Sequence, residues 1–170
     1  LYVDRNGDGE INTQDRYVSG NPQPDWILGH TSQFRYRNFD LSFTLRAHLG
    51  QQVYNNVASN FGHFSRIESN QIPTNIHESA LENEFDDPQY FSDVYVEDAS
   101  FLRMDNITLG YTVRSIPRVD RVRIFGQVSN AFILTGYDGT DPEVYSAGQG
   151  IDNNVYPRAR TFTAGLNVQL

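Results

Sequence analysis

The stretch TFTAGLNVQL, residues 161–170, alternates apolar and polar side chains without a break. A period of two residues predicts a β-strand with two different faces. The apolar face includes Leu170, so no polar tail covers it, whereas the termini of soluble proteins usually fray. A transmembrane barrel needs its last strand to close the ring, because an open sheet edge cannot lie in lipid. The stretch therefore favours a membrane barrel strand, with Phe162 and Leu166 toward lipid and Asn167 toward the lumen.

Four further segments show strand-like alternation, and they cover residues 26–36, 40–50, 101–113 and 122–134. In the third segment, the upper half is out of phase with the lower half. An extra residue in one strand shifts the phase in this way, so we expect a β-bulge near Asp105. The sequence predicts five strands, which form an antiparallel sheet if each short connection is a hairpin.

The connections alternate in length: 37–39 and 114–121 are short, whereas 51–97 and 135–159 are long. Outer-membrane barrels have short periplasmic turns and long extracellular loops. We therefore expect residues 1–25 and both long loops to lie outside the cell. Closed barrels of this class need about eight strands or more. The predicted fold is an all-β, antiparallel transmembrane β-barrel segment of residues 26–170, either the C-terminal fragment of a larger barrel or one piece of a split one.

A soluble β-sandwich is the alternative to the barrel, because alternation also fits a sheet with one dry and one wet face. The two folds differ in what covers the apolar faces. In a barrel these faces form one continuous outward band, whereas in a sandwich they pack on each other.

Composition limits the partners and the chemistry. The chain has 13 basic and 21 acidic residues, a net charge of -8, which argues against a nucleic-acid surface. Without cysteine, it can form neither a disulfide nor a thiolate metal site. No apolar run approaches the ~20 residues of a membrane helix, and no signal sequence opens the chain. No nucleophile elbow, P-loop or dinucleotide motif is present, so an enzymatic role has no support.

The segment DRNGDGEINTQD, residues 4–15, has the spacing of an EF-hand-type calcium loop. Glycine occupies position six, where the loop must turn sharply. The candidate ligands are Asp4, Asn6, Asp8, the backbone carbonyl of Glu10, and Asp15. The last of these is shorter than the usual glutamate, and no amphipathic helix precedes the loop. A structural Ca²⁺ ion is the favoured interpretation, and a tight turn without metal is the alternative.

Aromatic side chains are frequent in or beside the long loops. Exposed rings stack on sugars or anchor protein partners. The candidates for such ligand or partner contacts are Phe61, Phe64, Tyr137 and Tyr145. Packing of one loop on another is an equally good explanation for any single ring.

Several segments resemble the SusC/RagA family of TonB-linked (TonB-dependent) outer-membrane transporters. The most specific is VEDASFLRMDNITLGYT, residues 96–112. The others are VDRNGDGEIN (3–12), NFDLSFTLRAHLGQQVYN (38–55), GTDPEV (139–144) and YPRARTFTAGLNVQL (156–170). The family often ends in an aromatic residue, and Leu170 departs from that pattern.

This resemblance implies a barrel of about 22 strands with a plugged lumen, in the outer membrane of Bacteroidota-type bacteria. It implies uptake of glycan or peptide fragments, driven by the TonB complex through the plug. The implied partners are a SusD-like surface lipoprotein, the rest of the barrel and plug, and lipid or LPS. The competing function from another class is a soluble, calcium-stabilised β-sandwich that binds carbohydrate.

Overall fold

The structure, a computed structural model, describes residues 2–68, 74–114, 119–144 and 150–170. Among these residues, no helix has the length and apolar character needed to cross a membrane. The backbone forms eight strands in the described part of the chain. In chain order they are β1 (Trp26–Tyr36), β2 (Phe39–Leu49), β3 (Gln52–Asn55), β4 (Val96–Asp98), β5 (Phe101–Val113), β6 (Arg121–Thr135), β7 (Ile151–Asp152) and β8 (Thr161–Gln169).

Two units make up the chain. The sheet unit consists of Pro24–Gly50, Ser100–Gly136 and Pro157–Leu170. The loop unit consists of Leu1–Gln23, Gln51–Ala99 and Tyr137–Tyr156. Each unit is assembled from three separate stretches of chain, so its packing depends on contacts between residues far apart in sequence.

The sheet unit is one antiparallel sheet with the strand order β1-β2-β5-β6-β8. Its five strands coincide with the five segments whose side chains alternate. β1 and β2 are joined by a two-residue turn in which Arg37 has a φ of 55°. That left-handed conformation suits a tight hairpin between twisted strands.

The loop unit contains short elements that the sequence analysis did not predict, since it treated 51–97 and 135–159 as loops. β3 pairs antiparallel with β4 and parallel with β7. The helices are α1 (Asn56–Phe61), α2 (Ser65–Glu68) and α3 (Ser79–Asn83), and 3₁₀ turns cover Thr13–Asp15 and Asp93–Tyr95. All these elements are too short to show a hydrophobic period, which explains why the sequence pattern missed them.

A β-bulge at Asp105 keeps the two faces of the large sheet distinct. Thr44 pairs with Asn106 and Leu45 pairs with Met104, so Asp105 is the extra residue. The bulge returns Met104 to the apolar face, and the Asp105 carboxylate accepts hydrogen bonds from Arg46 at 3.1 and 3.2 Å. The predicted bulge is therefore confirmed.

The apolar face of the sheet unit runs across all five strands. Cross-strand rows include Phe39–Tyr111–Ile124–Leu166 and Phe43–Ile107–Val128–Phe162. None of these side chains is buried in the structure, and Leu109, Leu166 and Phe162 are 55%, 66% and 74% exposed. A sandwich would bury such a face against a second sheet. The sandwich alternative is therefore not favoured.

The polar face carries an ion pair that crosses a strand. Arg123 on β6 donates to Asp40 on β2, with an Nε–Oδ1 distance of 2.9 Å and a second contact from Nη2. Gly110 on β5 lies between them. A Cβ added to Gly110 would lie 2.5 Å from Asp40 Oδ1 and 2.6 Å from Arg123 Nε. The pair therefore depends on the absence of a side chain at this position.

Gly110→Ala should destabilise the sheet unit by roughly 1–3 kcal/mol, because the new methyl group must displace the Asp40–Arg123 pair. Gly126→Ala is the matched control, since it faces Leu109 on the other side of the sheet and a Cβ there meets nothing within 4 Å. The measurement is the thermal unfolding midpoint of the full-length protein in detergent. Equal midpoints for the two variants would contradict the steric role of Gly110.

Candidate functional site

The acidic loop, residues 4–15, closes through short-range hydrogen bonds to carboxylates. The two carboxylate oxygens of Asp4 accept from the N–H groups of Gly7 at 2.7 Å and Gly9 at 2.8 Å. Both glycines are left-handed, with φ of 76° and 85°. Residues with a Cβ adopt this conformation only with steric strain, so the turn requires glycine at both positions.

Asp15 closes the far end of the acidic loop. Its carboxylate accepts from the backbone N–H groups of Arg5 at 2.8 Å, Asn12 at 2.9 Å and Asn6 at 3.3 Å. The side chain of Asn12 in turn caps the 3₁₀ turn by accepting from the Gln14 N–H. The N–H donors favour the ionised carboxylate, with that of Asn12 contributing most, and they lower the pKa of Asp15.

The side chains proposed as calcium ligands form hydrogen bonds within the acidic loop itself. Among the described residues, no three or more His, Asp or Glu side chains are placed to hold one ion. The Asp8 carboxylate accepts hydrogen bonds from the side-chain amide of Asn6 at 2.8 Å and from the backbone N–H of Glu10 at 2.8 Å. Calcium binding by Asp4, Asn6, Asp8, Glu10 and Asp15 stays a prediction.

Two tyrosine side chains tie the N-terminal segment to a second part of the loop unit. Tyr2 donates to the Tyr90 carbonyl at 2.7 Å, and Tyr17 donates to Asp93 at 2.5 Å. The hydrogen bond to Asp93 is the main reason that the pKa of Tyr17 is raised. These contacts fix both ends of the acidic loop, which makes it an ordered surface feature.

Two of the four proposed aromatic contact residues are at least partly accessible. Phe61 is 37% exposed, with the guanidinium of Arg66 4.0 Å from its ring centroid. Phe64 is half-buried, and its N–H donates to the Phe85 carbonyl at 2.9 Å. Tyr145 lies outside the described residues. A partner could therefore reach Phe61 only beside a cation that already covers part of its ring.

Tyr137 is not available for ligand contact, which corrects the sequence-based assignment. It is 5% exposed and packs with Val53 and Ala99 in the core of the loop unit. Its hydroxyl donates to Asp152 at 2.8 Å. Burial and this hydrogen bond raise the pKa of Tyr137. A buried Tyr hydroxyl usually finds such a partner, so the residue is structural.

Buried polar side chains hold the loop unit together, and sequence reasoning missed them. Asn55 is fully buried, accepts from the Ala58 N–H at 2.9 Å and donates to Glu97 at 2.9 Å. Gln51 donates to the carbonyls of Ala99 at 2.8 Å and Pro142 at 3.0 Å. The one sequence signal that could have identified Asn55 is its position as an N-cap before a short helix.

Isothermal titration with CaCl₂ tests the acidic loop directly. If the loop binds calcium after rearranging, the full-length protein should release heat that Asp8→Ala abolishes, because that position supplies a carboxylate ligand. Glu82→Ala is the control, since it removes an exposed carboxylate of the loop unit outside the acidic loop. Equal heats from the wild type and Asp8→Ala would rule out the site.

Lowering the pH should destabilise the acidic loop, because the Asp15 carboxylate becomes protonated. Its folded pKa is lowered, so its contribution to stability is present above the unfolded pKa of about 3.9 and disappears as pH falls through the folded pKa. Hydrogen–deuterium exchange across residues 2–17, corrected for intrinsic rates, should rise in that window. Asp15→Asn should show high exchange at every pH. Exchange in the wild type that does not change with pH would contradict the assignment.

Comparison with known proteins identifies the kind of protein to which this chain is similar. No protein-family model matches it. It is 42% identical over 180 residues to the TonB-dependent receptor SusC of Bacteroides thetaiotaomicron, covering 99% of this chain and 17% of that protein. It is 31% identical over 189 residues to TonB-dependent receptor P26 of Formosa agariphila, covering 98% of this chain and 19% of that protein. The chain thus spans less than a fifth of these relatives.

A solved structure has the same fold. The RagAB peptide importer in its 'open-open' state matches 99% of this chain and 20% of that chain, with a TM-score of 0.70 and 19% identity. The relatives are receptors and transporters, not enzymes. On this evidence, the chain is similar over almost its whole length to a segment of TonB-dependent receptors such as SusC, and it shares the fold of the matching segment of RagAB.

Proposed function

We propose that this chain forms part of the wall and loops of an outer-membrane, TonB-dependent transporter that imports glycan or peptide fragments. The observation that carries the proposal is the exposed apolar face of the sheet unit. It extends over five strands. In water, an exposed apolar face of this size would promote aggregation or mark an interaction site. Against hydrocarbon tails the same face is favourably solvated, which is how barrel strands present every second residue.

The opposite face of the sheet supports a water-filled or protein-filled interior. It carries the pairs Arg123–Asp40 and Arg46–Asp105. Arg103 on the same face is 1% exposed and donates to Asn130 at 2.7 Å. Charged groups facing lipid would cost several kcal/mol each, whereas a polar lumen accommodates them. The distribution of charge therefore supports the proposal that the polar face lines the lumen.

The two edge strands of the sheet support a larger barrel. β1 and β8 each pair with one neighbour in the sheet unit. In lipid, every backbone polar group must be hydrogen-bonded, so both edges need further strands. The rest of the barrel would supply them, and the plug domain of the receptor would fill the lumen. A barrel of about 22 strands is the size proposed here.

The loop unit is the part of this chain that would meet extracellular partners. We propose that residues 1–25 and both long loops lie on the outer side of the membrane. A SusD-like lipoprotein would contact them there. Phe91 and Tyr156 offer exposed rings, at 81% and 89%. TonB would act through the plug, and lipid or LPS would cover the apolar face. A Ca²⁺ ion in the acidic loop would have a structural role only.

An arginine introduced on the apolar face should block stable insertion. Leu109→Arg places a charge toward lipid at a position that is 55% exposed, at a cost of roughly 2–4 kcal/mol near the bilayer midplane. Thr108→Arg, the next residue along β5, is the matched control on the polar face. The measurement is the amount of heat-modifiable, folded full-length receptor recovered from outer membranes.

We expect Leu109→Arg to lose most of the folded material and Thr108→Arg to retain it. Equal recovery of both variants would contradict the assignment of the faces. Recovery of the wild-type protein in the soluble fraction, with no outer-membrane pool, would overturn the transporter proposal and favour a soluble domain instead.

A further inference from the structure

The acidic loop contains the one Asn–Gly step of the chain, Asn6–Gly7. Both residues are solvent-exposed, and a Cβ added to Gly7 would meet nothing within 4 Å. The backbone nitrogen that follows an asparagine can attack the carbonyl carbon of the asparagine side chain, and glycine resists this attack least because it has no Cβ. The step therefore has the composition and the accessibility of a deamidation site.

Hydrogen bonds within the acidic loop place further reactive groups around this step. Asp4 Oδ1 accepts from the Gly7 N–H at 2.7 Å, so a carboxylate lies within reach of the proton that the attacking nitrogen must lose. The Asp8 N–H donates to Asn6 Oδ1 at 2.9 Å, and it stabilises the negative charge that develops on this oxygen during the attack. The loop thus supplies the nucleophile, a base and an oxyanion donor.

We propose that Asn6 undergoes intramolecular deamidation with Asp4 as the general base. The Gly7 nitrogen forms a bond to Asn6 Cγ and gives its proton to the Asp4 carboxylate. The Cγ–Nδ2 bond then breaks, and the amide group leaves as ammonia with that proton, so that a five-membered succinimide ring remains. Water opens the ring at either carbonyl, and the product carries an aspartate or an iso-aspartate at position 6.

Three Asx turns of this chain form a natural series for the reaction. In each, an exposed asparagine side chain accepts from the backbone N–H two residues later, at 2.9, 2.8 and 3.0 Å, and the asparagines are Asn6, Asn12 and Asn21. They differ in the residue that supplies the attacking nitrogen, which is Gly7, Thr13 or Pro22. Threonine is β-branched and crowds the nitrogen, and proline has no N–H to lose. Of the three, Asn6 is therefore the one that should react.

The conversion would change the order of the acidic loop. Asn6 Nδ2 donates to Asp8 Oδ2 at 2.8 Å. A carboxylate in place of the amide removes this donor and sets two like charges against each other, so repulsion replaces the hydrogen bond. Deamidation therefore acts as an irreversible switch from a closed to a loosened turn.

Peptide mapping by mass spectrometry tests the site. The full-length protein is incubated at neutral pH in detergent with EDTA, and the fraction converted from amide to acid is followed at each asparagine of residues 2–23. Conversion should be about tenfold or more faster at Asn6 than at Asn12 or Asn21, because only Gly7 allows a close approach. Equal rates at the three asparagines, or no conversion at Asn6, would overturn the proposal. The absence of iso-aspartate would also overturn it, since direct hydrolysis by water gives aspartate alone.

A pair of glycine variants tests the attacking nitrogen. Gly7→Ala places a Cβ beside this nitrogen and should slow the conversion at least about tenfold. Gly9→Ala is the matched control, since both glycines are left-handed, have open space at the Cβ position and donate to Asp4. It should retain most of the rate. An unchanged rate in Gly7→Ala, or an equal loss in Gly9→Ala, would contradict the proposed attack.

A pair of charge variants tests the base. Asp4→Asn removes the carboxylate that takes the proton and should slow the conversion at least about tenfold. Glu10→Gln removes an exposed carboxylate of the same loop and should leave the rate unchanged. Equal rates in the wild type and Asp4→Asn would refute the role of Asp4.

Hydrogen–deuterium exchange across residues 2–17 tests the switch. Asn6→Asp reproduces one product and should exchange faster than the wild type at neutral pH, because the contact with Asp8 becomes repulsive. Asn21→Asp adds the same charge outside the acidic loop and should leave this exchange unchanged. Exchange in Asn6→Asp that equals that of the wild type would show that the conversion does not loosen the turn, and it would overturn the switch.

Discussion

The sheet unit depends on one constraint, which is that apolar and polar side chains alternate in the same phase on all paired strands. Each strand has two faces, and one step out of register would turn an entire set of apolar side chains toward the polar side. The bulge at Asp105 shows how the chain meets this constraint. Without the extra residue, either Met104 or Ile107 would lie on the wrong face. With it, Met104 and Ile107 lie on the same face, and the carboxylate of Asp105 becomes a partner for Arg46.

The ion pairs on the polar face of the sheet require that neighbouring positions carry no side chain. Gly110 leaves room for Arg123 to reach over β5 to Asp40. Gly165 has a similar role, because a Cβ there would lie 2.5 Å from the ring of Phe125. The ring of Phe125 therefore lies over the backbone of β8 on the polar face. Because glycine has no side chain, a large side chain from the neighbouring strand can lie flat across the sheet at both positions.

The sequence predicted the sheet unit well and the loop unit poorly, for a physical reason. Strands 26–36 and 101–113 were found with the bounds that the structure has, because most side chains on one face of each are apolar. The loop unit has no such face. Its interior is held by Asn55, Gln51 and Asp152, whose burial depends on hydrogen-bond partners from distant segments. Composition marks such residues as exposed, and only the assembled contacts show otherwise.

The same limitation explains the outcome for the aromatic residues. A tyrosine in a polar loop is equally compatible with a binding surface and with a core, and the hydroxyl of Tyr137 is satisfied by a carboxylate 15 positions away in the chain. The acidic loop illustrates the converse case. Its spacing predicted a sharp turn, and the structure contains that turn at Gly7 and Gly9. The spacing could not determine whether the carboxylates bind a metal or the loop's own N–H groups.

The interleaving of the two units has a consequence for biogenesis. The loop unit takes one stretch from before β1, one from between β2 and β5, and one from between β6 and β8. Its parallel pairing of β3 with β7 joins residues almost a hundred positions apart. Contacts so distant in sequence form late, since chain closure must precede them. The loop unit would therefore complete its packing only after all three of its stretches, and the strands that connect them, are in place.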